Sequence, residues 1–363
     1  MSEGIQQETF VLDPLKARKF CTSIFVEHHV PEEEGYIVAD SLVSSNLRGL
    51  DSHGITRMGI YVERLKKKLV NPTPNVKVLK EKGAIVHIDG DNGMGAVVTH
   101  KATEMGIERT KSFGVCSVSI THSNHYGAGA YYIKQALEHN LACHLYGNAP
   151  PTMAPHGGAE PFLGTNPYSF GVPAGKYGPL ILDMASSVVA RGKVILAAKE
   201  GTAIPEGWAI DIQGYPTTDA PAALAGSVLP FAGPKGYGIA LMNDILAGVL
   251  SQSNYGKNIP DLYRNMEDIQ NIGAFIQLTD INEFTPIEVF IRNIEDFISE
   301  LKRVKLAPSY KHIYIPGEIE ENLEKERLVE GFPVSLTEIT MLKELGQPLG
   351  LHIDDIISRR KDI

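Results

Sequence analysis

Arg48, His53 and Arg57 fall within one eleven-residue run, Leu47-Arg-Gly-Leu-Asp-Ser-His-Gly-Ile-Thr-Arg57, where one helical pattern breaks and another begins. A guanidinium fork matches the two oxygens of a carboxylate, and an imidazole beside it can move a proton at a neighbouring hydroxyl or carbonyl. If Asp51 or Ser52 caps the new helix, His53 and Arg57 stand four residues apart and share a face. The run therefore reads as a site for a small hydroxy acid. Arg48 and Arg57 are the candidate carboxylate anchors, and Ser52 is counted among the substrate-binding residues. The plainer alternative is a capped surface helix with a hydrogen-bonded histidine.

A second segment adds another imidazole. Residues 115–120 are rich in β-branched side chains that alternate with a period of two, which predicts a strand, and Thr121-His-Ser-Asn-His-Tyr-Gly-Ala-Gly129 leads from it into a helical run at 130–139. His125 is thus expected on a strand-to-helix loop, with Asn124 beside it as a substrate-binding candidate. The positive end of a helix dipole disfavours imidazolium and keeps the ring a neutral proton acceptor, which suits a general base. A loop histidine satisfied by its neighbours is the alternative.

Six segments then occur in order: Arg48-Gly-Leu-Asp-Ser-His-Gly54, Ser123-Asn-His-Tyr-Gly127, Ala154-Pro-His-Gly-Gly-Ala-Glu160, Gly164-Thr-Asn-Pro167, Leu182-Asp-Met-Ala185 and Gly233-Pro-Lys-Gly-Tyr-Gly238. Together they resemble the malate/L-lactate dehydrogenase family that is unrelated to the Rossmann-type enzymes and includes ureidoglycolate, sulfolactate and diketogulonate oxidoreductases. The resemblance runs from about residue 47 to 317. It implies an α/β (α+β) fold of the non-Rossmann type, with a helical domain from both chain ends (1–75 and 286–363) and a central β-rich NAD(P)-binding domain (76–285). The activity implied is hydride transfer between nicotinamide and a small 2-hydroxy/2-oxo acid of the malate, lactate, ureidoglycolate or sulfolactate type. A metal-free homodimer is implied too, with NAD ahead of NADP. His125 and His53 are both carried as catalytic, because relatives are described with either as the acid/base. The rival readings are an NADPH-dependent cyclic imino-acid reductase and a non-catalytic cofactor-binding scaffold.

Gly93-Met-Gly95 and Gly127-Ala-Gly129 tempt a Rossmann assignment, but their sixth positions are Val98 and Tyr132, and no convincing ribose acid follows either. The segment around Lys235 and Gly236 is better chemistry for a pyrophosphate. Its glycines permit close backbone approach, and Lys235 sets a cation at the start of a helix expected over 236–251. Leu182, Asp183, Met184 and Ala185 are expected to end a strand and open a helix over 185–200, facing nicotinamide or ribose. In the family these two segments contact the dinucleotide together with the turn at Pro316, Gly317 and Glu318. Asn148 is a further cofactor candidate, although Ala149 stands where relatives often carry serine.

Composition adds limits. The chain has 363 residues, long enough to bury a sizeable core, and 34 Lys+Arg against 43 Asp+Glu give a net charge of −9 with no basic stripe for nucleic acid. No apolar stretch is long enough for a bilayer and no leader-like N-terminus is seen, so the cytoplasm is the expected location. Cys21, Cys116 and Cys143 form no Cys-x-x-Cys pair and read as small buried hydrophobes. His122, His125, Cys143 and His144 lack the paired-ligand pattern expected of a zinc site. Helices are expected at 13–28, from Pro31, around Arg57, at 96–112 and from Pro286, and strands at 84–89, 141–146, 168–172, 179–183 and 274–278. Residues 201–233, rich in Gly, Pro and Ala, read as a long arm with too little periodicity for a core of its own, buried against a second subunit or folded over as a lid.

Overall fold

In the computed structural model, which describes residues 9–361, the chain opens with β1 (Thr9–Leu12), α1 (Pro14–Glu27) and α2 (Glu32–Leu47). Asp13 fixes the start of α1, its carboxylate accepting from the amides of Leu15 and Lys16 at 2.9 Å, with Pro14 in the first turn. Three glutamates, Glu32 to Glu34, sit at the positive end of α2. Two short 3₁₀ turns, Asp51–His53 and Ile55–Arg57, lead into α3 (Met58–Lys66).

Next come β2 (Lys77–Lys82), β3 (Ile85–Asp89), α4 (Gly95–Phe113), β4 (Val115–Ser123), α5 (Ala130–Leu137), β5 (Leu141–Gly147), β6 (Tyr168–Pro173) and β7 (Pro179–Met184). After α6 (Arg191–Glu200) a small sheet forms from β8 (Ala209–Ile210), β9 (Pro216–Thr217) and β10 (Ser227–Val228), with α7 (Ala220–Ala225) between the last two strands. Then α8 (Pro234–Asp244) runs on as a π turn, and β11 (Ile272–Asp280) returns to the middle of the main sheet. The chain closes with α9 (Ile287–Arg303), α10 (Glu318–Glu330), β12 (Phe332–Ser335), α11 (Leu336–Gly346) and β13 (Ile357–Lys361).

The seven-stranded sheet has the order β2-β3-β4-β11-β5-β6-β7, and only β3 and β4 run parallel. Strand alternation buries Cys116, Val118, Ile120, Cys143, Leu145, Ile276 and Leu278 with Ala102, Ile107, Ile133 and Ala136 of α4 and α5. A second core joins the two chain ends. Phe20, Ile24, Phe25, Leu42, Leu47 and Met58 pack there with Phe332, Val334, Leu342 and Ile356, and β1 pairs with both β12 and β13. By contrast, α9 sits on the far end of the sheet, with Ile294, Ile298 and Leu301 against Ala174, Tyr177 and Leu180.

Two expectations are corrected. The helix expected over 185–200 begins only at Arg191, because Ser186 and Val188 turn their amides to the carbonyls of Thr165 and Leu229. The stretch 201–233 is no bare arm. Ile204, Ala209, Ala220, Ala223 and Val228 are buried with Met153, Leu163, Val189, Val194 and Ala240, so these side chains are covered within the chain, while Ile212 and Tyr215 stay exposed. Among the described residues no helix is long and apolar enough to cross a membrane.

Candidate active site

Asn46, at the end of α2, builds the turn that carries His53. Its Nδ2 donates to Asp51 Oδ1 and its Oδ1 accepts from Ile55 N, both at 2.8 Å. A Cβ at residue 54 would lie 2.2 Å from Asn46 Oδ1, so only glycine lets the chain pass, and Gly54 is extended (φ −86°, ψ −154°). The single helix expected to align His53 with Arg57 is therefore split into two 3₁₀ turns. The two side chains still meet, but through this fold rather than through i,i+4 spacing.

His53 and His125 stack at 5.7 Å between ring centroids, and Tyr61, one turn beyond Arg57 on α3, holds His125 Nδ1 at 2.7 Å from its hydroxyl. Desolvation, with Arg57 adding to it, holds the His53 imidazolium down to about 4. The same desolvation, with Arg57 and His53 adding to it, holds His125 well below the usual histidine range. Both rings are neutral at pH 7. The effect was expected from a helix N-terminus at His125. That is corrected: α5 starts five residues later, at Ala130, and burial with Arg57 does the work. With Nδ1 protonated and donating to the Tyr61 oxygen, His125 Nε2 keeps its lone pair and can accept a proton. Tyr61 is absent from the candidates the sequence offers. Its spacing of four from Arg57 and eight from His53 was the signal that could have found it.

The other substrate candidates divide. Arg57 is half-buried, donates through Nε to Ser52 O at 2.7 Å, and touches the Tyr263 hydroxyl with Nη1. Ser52 pairs its hydroxyl with His53 Nδ1 at 2.9 Å and so orients that ring. Arg48 is no carboxylate anchor in this arrangement. It is buried and ion-paired to Glu324 at 3.0 Å and Glu321 at 3.5 Å on α10. The Nδ2 of Asn124 is used inward, donating to Asn92 O, Asn92 Oδ1 and Gly93 O, which ties the loop before His125 to the turn ahead of α4, while its buried Oδ1 has no partner.

The three segments expected to meet a dinucleotide are neighbours. Leu182, Met184 and Ala185 are half-exposed at the end of β7. The Pro316 carbonyl accepts from Ile181 N on one side of this strand end, and Phe231 N donates to Ser186 O on the other, bringing the first turn of α8 with the exposed Lys235 and Gly236 alongside. Gly317 takes φ +85° at the N-cap of α10, where a Cβ would lie 2.8 Å from Ile181 O. The groove thus offers two helix N-termini, a lysine and close backbone, a donor set that fits a dinucleotide. Not every expected side chain serves it. Asp183 accepts from Ser169 Oγ at 2.7 Å and Ala130 N at 2.9 Å, and burial raises its carboxyl above the ordinary range. Glu318 is held by Lys302 at 2.6 Å. Asn148 is buried on Asp244, Asn254 O and Gly273 N, so its amide has a structural use.

The sequence pattern of the malate/L-lactate dehydrogenase family matches residues 12–343, nearly the whole chain. The chain belongs to this family. It is 38% identical over 347 residues to L-sulfolactate dehydrogenase of Methanocaldococcus jannaschii, covering 96% of this chain and 99% of the relative. Malate dehydrogenase of Pyrococcus abyssi is 35% identical, covering 96% and 98%. The solved structure of the M. jannaschii sulfolactate dehydrogenase superposes with a TM-score of 0.90 at 38% identity, covering 95% of this chain and 99% of that one. The protein is therefore an oxidoreductase acting on CH–OH groups with a nicotinamide cofactor, and its fold is that of the family. Among the described residues no group of three His, Cys, Asp or Glu could hold a metal ion. Cys143 and His144 are adjacent in β5 and so point to opposite faces, Cys143 into the core and His144 toward Tyr168.

Proposed function

We propose that this dehydrogenase interconverts a small 2-hydroxy acid and its 2-oxo acid with NAD(H). The observation that carries the reading is the stacked, neutral His53–His125 pair with the Arg57 guanidinium beside it. Arg57 holds the substrate carboxylate. His125 Nε2 takes the hydroxyl proton on oxidation, and Tyr61 keeps Nδ1 protonated so that Nε2 stays the acceptor. His53, oriented by Ser52, packs over that ring. Leu182, Met184, Ala185, Gly317 and Lys235 are the residues that would hold a dinucleotide, whose nicotinamide would supply the hydride chemistry when bound. NAD rather than NADP is part of this proposal, and the NADH and NADPH arms of the panel below decide it.

We further propose the two-domain division, with the helical domain from both ends supported by the shared core of α1, α2, β12 and α11, while α9 packs on the sheet domain instead. A homodimer fits the apolar side chains left exposed along α8 and its π turn, Leu241, Ile245 and Val249. The cytoplasm fits three buried free thiols. A panel of 2-oxo acids and one cyclic imino acid, each with NADH and NADPH, tests the reading by nicotinamide absorbance. Turnover of a 2-oxo acid with NADH is expected; turnover of the imine alone would overturn it.

A further inference from the structure

The segment 261–269 has no helix or strand, yet it is firmly tied down. Arg64, buried on α3 with 1% exposure, donates to the carbonyls of Asn265 at 2.9 Å, Asp268 at 3.0 Å and Leu262 at 3.4 Å. Taking a guanidinium out of water costs stability, and here its hydrogen bonds go to main-chain oxygens, with the Asp261 carboxylate near enough to favour its charge. What that cost fixes is the shape of a loop. Asp261 and Asn265 close it from within, Asp261 Oδ1 accepting from the amides of Tyr263 and Arg264 at 2.8 Å, and Asn265 Oδ1 from Asp268 N at 2.8 Å. The loop presents one large side chain to the site. Tyr263 sets its hydroxyl on Arg57, with the guanidinium carbon 5.3 Å from its ring centre, and stays 54% exposed. Its phenol also lies close enough to Tyr61 to add to the burial that makes that hydroxyl a weaker acid, so it stands on the same side of the site.

From this placement we infer that Tyr263 is a specificity-determining residue, the wall against which the substituent beyond the carbonyl of the 2-oxo acid is sorted. The inference rests on the 2-oxo acid reading above. A rigid aromatic wall beside the carboxylate anchor excludes bulk by contact, and its hydroxyl steers the fork that grips the carboxylate. Arg64 is the positioning residue behind it, and acts only through the loop.

The experiment compares wild type, Tyr263→Ala and Tyr263→Phe on pyruvate, oxaloacetate, 4-methyl-2-oxopentanoate and phenylpyruvate with NADH, and measures NADH affinity of each by fluorescence. The side chain is half-exposed, so both variants are expected to fold. Tyr263→Ala should raise kcat/KM for the two bulky acids relative to pyruvate by about tenfold or more, as the room freed for a substituent allows. Tyr263→Phe should keep the wild-type order and weaken all four acids a few-fold through KM. NADH affinity should not move in either. A wild type active on these acids with an unchanged bulky-to-small ratio in Tyr263→Ala overturns the role of Tyr263 alone. A wild type that turns over none of them overturns the 2-oxo acid reading, and Tyr263 as its selector with it.

Discussion

Replacing Tyr61 by Phe tests the mechanism at one atom. The ring stays, and only the hydroxyl 2.7 Å from His125 Nδ1 is lost. Tyr61 is buried at 8% exposure, so water does not freely take the place of that oxygen. A buried donor left without its acceptor costs about 1–3 kcal/mol. If that cost falls on the tautomer whose Nε2 accepts the proton, kcat/KM drops by about 5- to 160-fold, at 1.36 kcal/mol per factor of ten. The hydroxyl has no contact with the dinucleotide groove, so cofactor affinity should be unchanged. Steady-state kinetics over a pH range with calorimetric cofactor binding is the assay, and thermal melting is the control for folding. The expected result is a lowered plateau of kcat/KM with unchanged cofactor Kd. Wild-type kcat/KM in a folded Tyr61→Phe would refute the role of Tyr61 in fixing the His125 tautomer.

Three further outcomes are expected. His125→Ala should lose about 10²- to 10⁴-fold in turnover, the usual worth of a positioned proton acceptor, while His53→Ala should act chiefly on KM; near wild-type kinetics in both would remove the histidine mechanism. Lys235→Ala should weaken cofactor binding more than it lowers saturated turnover, since an equal contact in ground and transition states is uniform binding, and an unchanged Kd by calorimetry would exclude it from the phosphate site. His53 titrates near 4 in the fold against an ordinary 6.5, so between those values the unfolded chain binds more protons. Its contribution to stability is complete above pH 6.5 and is lost as pH falls toward 4, with a slope approaching about 1.4 kcal/mol per pH unit. Denaturant titrations of wild type and His53→Gln should show a shallower acid loss in the variant; parallel curves would count against the buried neutral ring.

Local chemistry carried much of this protein into view from sequence. The period-two runs at 115–120 and 141–146, the Asp13 and Pro31 helix starts, and the two histidines with Arg57 all follow from side-chain type and near-neighbour spacing, and the structure has them as strands, helices and one cluster. Ordered motifs across the chain named the family as well. Long-range contacts decided the rest. Whether Arg48 meets a substrate or Glu321 and Glu324 depends on a helix more than 270 residues away, which no local pattern encodes. Asn148 looks available in sequence, but both ends of its amide are taken by groups that only the folded chain brings beside it. The burial of Ile204, Ala209, Ala220, Ala223 and Val228 required knowing that Met153, Leu163 and Ala240 would cover them. Tyr263, 206 residues from Arg57, joins the site because Arg64 holds its loop. Sequence spacing sets what a residue can do with its neighbours along the chain; the tertiary fold decides which distant groups claim it first, because each donor or charge, once buried with one partner, is no longer free for another.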